Sequence, residues 1–361
     1  MMCKNNWRRR LVRSSFHNGV KGATVLALVL SGNHLAESSQ APQHDVTKMM
    51  TQGKLEADLG DHESASDAFQ AIAKDPAAPY ALRWEALVRL GVARSAAGET
   101  RASVEAFREA RETYSEDPKA MQFLTYAVAR AVRGRVWIDF KREFEELLKS
   151  AKVVSAEELG RGVTGPKKIE LQQGEIELSA VWKPIAQQRP LDDYLHEVAA
   201  YELDKILQLD MVPPSVERVI EGHKGALQLW IHGCKVYKDV QEDTPQTASW
   251  SHQLSRAKMF DNLIGNTARN EMNILVDPSW DLVLIDHTRS FSSDEELLDP
   301  PVQFDRRLVE KLRHLNPAGL ALRFQGILDM EAIEHLLKRR DALLSYMDQL
   351  IEEKGEAHVL F

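Results

Sequence analysis

The stretch LIGNTARNEMNILVDPSWDLVLIDHTRSF, Leu263 to Phe291, reads as a polar loop, a short strand (Asn273 to Val276), a tight turn (Asp277 to Trp280) and a second strand (Asp281 to Asp286). The second strand alternates, with Leu282, Leu284 and Asp286 on one face and Val283 and Ile285 on the other. An Asn ahead of one strand of a hairpin and an Asp at the end of the other can meet at one point. Asn273 and Asp286 then offer hard oxygen donors of the kind that hold Mg2+ against phosphate. Ala268 stands five residues before Asn273, in the loop Asn266-Thr267-Ala268-Arg269-Asn270.

Upstream, Ile169 to Trp182 (IELQQGEIELSAVW) reads as two strands about a turn at Gln173-Gly174. Lys183 ends the second, on the face of Ser179 and Val181 and opposite Ala180 and Trp182. A lysine on the inner face of a small sheet can reach nucleotide phosphates; a solvated strand-end lysine is the plainer alternative. Asp192 to Leu209 has helical spacing, with Leu195, Ala199, Leu203, Ile206 and Leu207 in one apolar stripe. Glu197 lies off that stripe, either paired with Lys183 or at the surface. Gly160, Gly162 and Gly165 form a GxGxxG that opens a strand pair and has no acidic residue where a dinucleotide-binding β-α unit needs one. This favours a lid of backbone N–H groups over phosphate. Two more strands (Ser215 to Ile220, Ala226 to Ile231) and helices over His252 to Ile264, Arg306 to His314 and Met330 to Glu353 complete the pattern.

In this order, residues from about Leu159 to Phe361 resemble the atypical kinase superfamily that includes phosphatidylinositol 4-kinases, HipA-like kinases and secretory-pathway kinases of the four-jointed type. The resemblance is carried by Val181-Trp182-Lys183-Pro184, Glu197 to Asp204, Val212 to Val216, Phe260 to Thr267 and Leu284-Ile285-Asp286-His287. It implies an α+β, bilobal protein-kinase-like fold with ATP and Mg2+ between the lobes. Lys183 would hold phosphate, Glu197 would orient Lys183, Asn273 and Asp286 would bind the metal, and Gly160, Gly162 and Gly165 would cover the nucleotide. The family's catalytic loop has an aspartate where this chain has Ala268. An alanine neither accepts the proton of an attacking hydroxyl nor orients it, so the resemblance implies a pseudokinase or a weak transferase. Asp261, one or two helical turns upstream, is a carboxylate that could substitute, or else a helix-surface or capping residue.

Lys48 to Lys149 is helical in pattern and internally repeated. Leu59-Gly60-Asp61, Ala68-Phe69 and Asp75-Pro76 recur as Ala97-Gly98-Glu99, Ala106-Phe107 and Asp117-Pro118, with the glycines and the Ala-Phe pairs offset by 38 residues (60 to 98, 68 to 106). The region resembles tetratricopeptide repeats, with capping helices expected over Ala120 to Arg133 and Phe140 to Ala151. Such repeats bind a protein partner, or they form a bundle that packs on its neighbour.

The expected domains are a signal-like segment and linker (1–44), helical repeats (45–152), a kinase-like N-lobe with its connecting segment (153–250) and a helical C-lobe (251–361). Lys4, Arg8, Arg9, Arg10, Arg13 and Lys21 precede the apolar run Ala23 to Leu30, with small and polar residues at Ala36 to Ser39. This is the layout of a signal peptide, and it predicts export or membrane anchoring. The alternatives are a disordered tail, or a cytoplasmic protein started near Met49. ATP is scarce outside a cytoplasm, so a cleaved signal would favour a scaffold over a nucleotide binder.

Over 361 residues the net charge is −8, which argues against a general nucleic-acid binder. Only Cys3 and Cys234 are present, too few for a disulfide framework.

Overall fold

Two helical hairpins come first in the computed structural model, which describes residues 43–114, 117–131, 134–160, 165–174, 176–184 and 193–361. Residues 1–42 of the signal-like segment, and Gly162 of the glycine motif, lie outside the described residues. Helices α1 (Gln43–Leu59) and α2 (His62–Lys74) form the first hairpin, α3 (Tyr80–Ala97) and α4 (Thr100–Tyr114) the second, and α5 (Pro118–Arg130) follows. Local chemistry sets their ends. Asp61 caps α2 by accepting from Ser64 N at 3.2 Å, Asp117 caps α5 with Pro118 in the first turn, and Gly98 ends α3 with φ +86°. The 38-residue offset reappears as a contact. A Cβ on Gly53 would lie 2.9 Å from the Phe69 ring, and one on Gly91 would lie 2.6 Å from the Phe107 ring. Each hairpin thus closes a phenylalanine over a glycine.

The expected helices over 120–133 and 140–151 are corrected in detail. α5 ends at Arg130, and a 3-10 segment, Gly134–Phe140, leads into α6 (Lys141–Ser150). Gly134 makes the change of direction at φ +52°, where a Cβ would meet Asp277 Oδ2 at 2.5 Å.

A five-stranded antiparallel sheet follows, in the order β1-β2-β3-β5-β4. Its strands are β1 (Lys152–Glu158), β2 (Lys167–Gln173), β3 (Ile176–Pro184), β4 (Ser215–Ile220) and β5 (His223–Leu229). β1 was not expected from the sequence. It is an edge strand exposed on both faces for most of its length, so no period-two burial marks it. It also means that the glycine segment connects two antiparallel strands, with Leu159 N donating to Pro166 O at 3.1 Å.

One sheet face presents Ile169, Leu171, Leu178, Ala180, Trp182, Leu227 and Leu229. These share a single core with Trp84, Phe107, Leu124, Val128, Trp137 and Phe144 of the preceding helices. The other face presents Ser179, Val181 and Lys183 toward helix α7 (Leu195–Leu207), where Tyr194, Val198 and Ala226 pack together.

The remaining chain is mostly helical. β6 (Lys235–Val236), β7 (Ile274–Val276) and β8 (Leu282–Leu284) form a small sheet among α8 (Ala248–Ile264), α9 (Arg306–His314), α10 (Pro317–Arg323), α11 (Met330–Lys354) and α12 (Glu356–Val359). The second core joins α7 to this half through Tyr201, Leu203, Phe260, Leu263, Leu336 and Leu343. Leu282 and Leu284 enter that core, while Val283 enters the core shared with the repeats. The fold is therefore α+β, built on a five-stranded antiparallel sheet. Among the described residues no helix is long and apolar enough to cross a membrane.

Candidate nucleotide site

Lys183, Glu197 and Asp286 are brought together from three elements. Lys183 sits near the end of β3, paired across the ladder with Ala226. It is 8 % exposed and not a solvated strand-end lysine. Its ammonium donates to Glu197 Oε1 and, at 3.0 Å, to Asp286 Oδ1. Glu197, in the first turn of α7, is fully buried rather than at the surface. Because α7 is buried on two sides, the apolar stripe faces the helical core and Glu197 faces the sheet. Burial alone would lower the Lys183 pKa, but the charges of Glu197 and Asp286 and their hydrogen bonds outweigh it and hold it above its ordinary value. For Glu197, burial works to raise the pKa. The Lys183 charge, followed by the hydrogen bond and charge of His287, holds it far below the usual carboxylate range. Both groups are ionised.

Asp286 does not lie within the second strand. β8 ends at Leu284, and Asp286 has φ +63°, so the strand alternation stops before it. An aspartate tolerates this conformation better than most residues, and it leaves the carboxylate 44 % exposed beside buried neighbours. Asn273 closes a short 3-10 turn, Glu271–Asn273, ahead of β7 rather than opening the strand. The pairing Ile274↔Leu284 puts Asn273 opposite Ile285, with Ile285 N donating to Asn273 O at 3.2 Å. Asn273 and Asp286 are thus neighbours across the open end of the hairpin. Asn273 Nδ2 donates to Ala268 O at 3.1 Å, which leaves its carboxamide oxygen for a ligand.

The donors fit a hard divalent cation: one exposed carboxylate and one amide oxygen. Among the described residues no three His, Cys, Asp or Glu side chains are grouped to hold an ion by themselves. A cation here would complete its shell with water and phosphate oxygens, as Mg2+ commonly does. Gly160 and Gly165 flank the connection between β1 and β2, with φ +60° and +63°, and a Cβ on either would meet nothing within 4 Å.

The loop that holds Ala268 is rigidly built. Ala268 N donates to Asn266 Oδ1 at 3.1 Å, and Ala268 O accepts from both Asn270 and Asn273. Arg269 reaches beneath the hairpin, donating from Nη1 to Asn273 O (2.6 Å) and Ile285 O (2.7 Å). Its Nε and Nη2 grip Asp261 at 2.9 and 3.0 Å. Asp261 also accepts from Asn266 Nδ2 at 3.0 Å and is 8 % exposed. Asp261 is not a helix-surface carboxylate: both of its oxygens are engaged in holding Arg269.

Two further residues were given no role by the sequence reading, although His287 stood in the match Leu284-Ile285-Asp286-His287. His287 is fully buried beside Glu197. Arg339 of α11, also fully buried, donates to Leu263 O (3.1 Å), Ser292 O (2.7 Å) and Asp294 O (2.7 Å), tying the end of α8 to the segment after the hairpin. A Cβ on Gly265 would sit 2.8 Å from the Arg339 guanidinium carbon. Neither stands out locally, since His287 is flanked by Asp286, Thr288 and Arg289, and Arg339 by Lys338, Arg340 and Asp341. The chain matches no protein-family model and no curated protein sequence.

Proposed function

We propose that the chain binds a magnesium nucleotide in a kinase-like, two-lobed arrangement, and that phosphotransfer is weak or lost because Ala268 occupies the position of the catalytic-loop carboxylate. The observation that carries this reading is the buried Lys183 ammonium held between Glu197 on one side and Asp286 on the other. Structural ion pairs are common, but a buried lysine that ends at a half-exposed carboxylate beside a free amide oxygen has the makings of a phosphate and cation site. The glycine segment supports it, since it joins β1 to β2 on the sheet that carries Lys183.

In this reading Lys183 holds a phosphate oxygen, Glu197 keeps the ammonium charged and aimed, and Asn273 and Asp286 supply oxygens to Mg2+. When bound, the metal would neutralise phosphate charge. No side chain at position 268 can take a proton from an acceptor hydroxyl, and Asp261 is committed to Arg269. An active enzyme using Asp261 as its base is therefore the least supported alternative. The scaffold alternative, with a protein partner on the helical repeats, loses ground because α5 and α6 already bury their apolar faces against the chain's own sheet.

Calorimetric titration of the purified protein with Mg-ATP tests the reading. Binding is expected, and Asp286→Ala is expected to weaken it by about tenfold or more, the worth of one charge-assisted contact. No binding by the parent, or equal binding by the variant, would remove the nucleotide claim.

A further inference from the structure

We infer that His287 is the positioning residue of this site, a latch that holds Glu197, and through it the Lys183 ammonium, so that α7 and the hairpin stay assembled. Both oxygens of Glu197 are held from this one residue. The His287 backbone N–H donates to Oε1 at 3.0 Å and the ring Nδ1 lies 3.3 Å from Oε2. An ionised carboxylate only accepts, so the hydrogen must sit on Nδ1. The other ring nitrogen agrees, because Nε2 is buried with no partner and an N–H there would be stranded.

The latch is wider than one pair. The next residue, Thr288, accepts at its carbonyl from Asp193 N (3.0 Å) and is in contact with His196 Nδ1 (3.1 Å), so the start of α7 is fastened to the chain directly after Asp286. Swinging α7 outward would leave buried donors on His287 without acceptors, a cost comparable to a lost charged hydrogen bond. The plainer alternative is a histidine that merely fills space edge-on to Phe260, whose ring centroid is 6.1 Å away. That role needs the ring's bulk and is indifferent to which nitrogen carries hydrogen.

The contrast between His287→Asn and His287→Gln separates the two. The Asn amide reaches roughly to the Nδ1 position and the Gln amide roughly to Nε2. Accessibility of Lys183 is read as its rate of modification by an amine-reactive reagent, located by peptide mass spectrometry. The parent and His287→Asn are expected to be equally protected, with His287→Gln modified about tenfold faster or more. Equal rates in the two variants overturn the latch.

Should His287→Gln fail to fold, the nitrogen-15 spectrum of histidine-labelled parent protein decides. Hydrogen on Nδ1 of His287 supports the latch, and a ring without it overturns the proposal. The expected consequence for Mg-ATP, tight binding in His287→Asn and about tenfold weaker binding in His287→Gln, rests on the nucleotide reading above. A parent that binds no Mg-ATP would sink that reading and leave the labelling and tautomer tests of the latch intact.

Discussion

At the scale of single residues, Ala268 and Glu197 make opposite demands on the site. Ala268 is held by hydrogen bonds through its backbone only, so a longer side chain there meets a loop already shaped by Asn266, Asn270 and Asn273. If the missing carboxylate is the only defect, Ala268→Asp should raise ATP turnover about a hundredfold or more, within the range of general-base contributions. Release of phosphate with water as acceptor measures it, and a variant as silent as its parent means the loop lacks more than a base. Glu197 is a stability matter as well. Its pKa is held below the ordinary 4.5 of a free glutamate, so the folded chain resists protonating it. Its stabilising contribution is therefore present above pH 4.5 and is lost as pH falls through the depressed value. Glu197→Gln should be less stable than the parent at neutral pH by about 3–5 kcal/mol, the cost of breaking a buried pair. The gap should narrow as the pH is lowered below 4.5. Denaturant unfolding across that range checks both the sign and the window, and a gap that stays constant on acidification contradicts the pairing.

At the scale of elements, the helical hairpins and the short β-hairpin were largely legible, because each has a local signature. Ala-Phe pairs at a fixed offset and the tight turn at Asp277 to Trp280 are short-range patterns that a chain displays whatever surrounds it. Legibility failed where long-range contact decides the outcome. β1 carries no alternation because it borders solvent on both faces. Gly53 looked unremarkable until Phe69 came to rest on it. Lys183 and Glu197 are 14 residues apart in sequence; each taken alone resembled a surface residue, and only the family resemblance implied the pairing that the sheet and α7 together bury. The partners of Asp261 and His287 were likewise invisible, being set by how the end of α8 and the start of α7 meet the hairpin. The Gly–Phe contacts carry a testable consequence. An alanine in a helix gains up to about 1 kcal/mol in propensity over glycine, which alone would make Gly91→Ala stabilising. The Phe107 ring stands 2.6 Å from the new carbon, however, and overpacking of that kind costs about 1–3 kcal/mol. The clash should win, so Gly91→Ala is expected to lower the thermal midpoint. A midpoint equal to or above that of the parent would mean the helices separate freely.

At the scale of the whole molecule, the helical repeats are part of the site's foundation. They reach each element that carries a site residue. Against the sheet, Leu124 and Phe144 share a core with Ile169 and Ala180, and Arg218 of β4 donates to Leu148 O and Ala151 O at the end of α6. Against α7, Glu145 accepts from Tyr201 Oη (2.8 Å) and Lys205 Nζ (2.6 Å), and Lys141 lies 3.7 Å from Asp204 Oδ1. Against the hairpin, Arg101 forms a two-pronged pair with Asp281 at 2.8 and 3.0 Å. A repeat array that served only an outside partner would be free to unfold by itself, as stacked repeats often do. This one should not, because its apolar face and the sheet's are one core. Leu124→Ala in α5 removes a fully buried side chain from that core and should cost about 2–5 kcal/mol. The loss should appear equally wherever unfolding is read. Hydrogen exchange of β3 amides and of α3 amides should respond to Leu124→Ala by the same amount, in a single transition. Protection of β3 that survives the substitution while α3 opens would show two independent units, and truncation of residues 43–149 would then become a clean way to isolate the candidate site. With one shared core, the same truncation exposes Ile169, Leu171, Leu178 and Leu227 to water and should yield an aggregating protein. In that case any partner of the repeats must be sought with point variants on their outer surface.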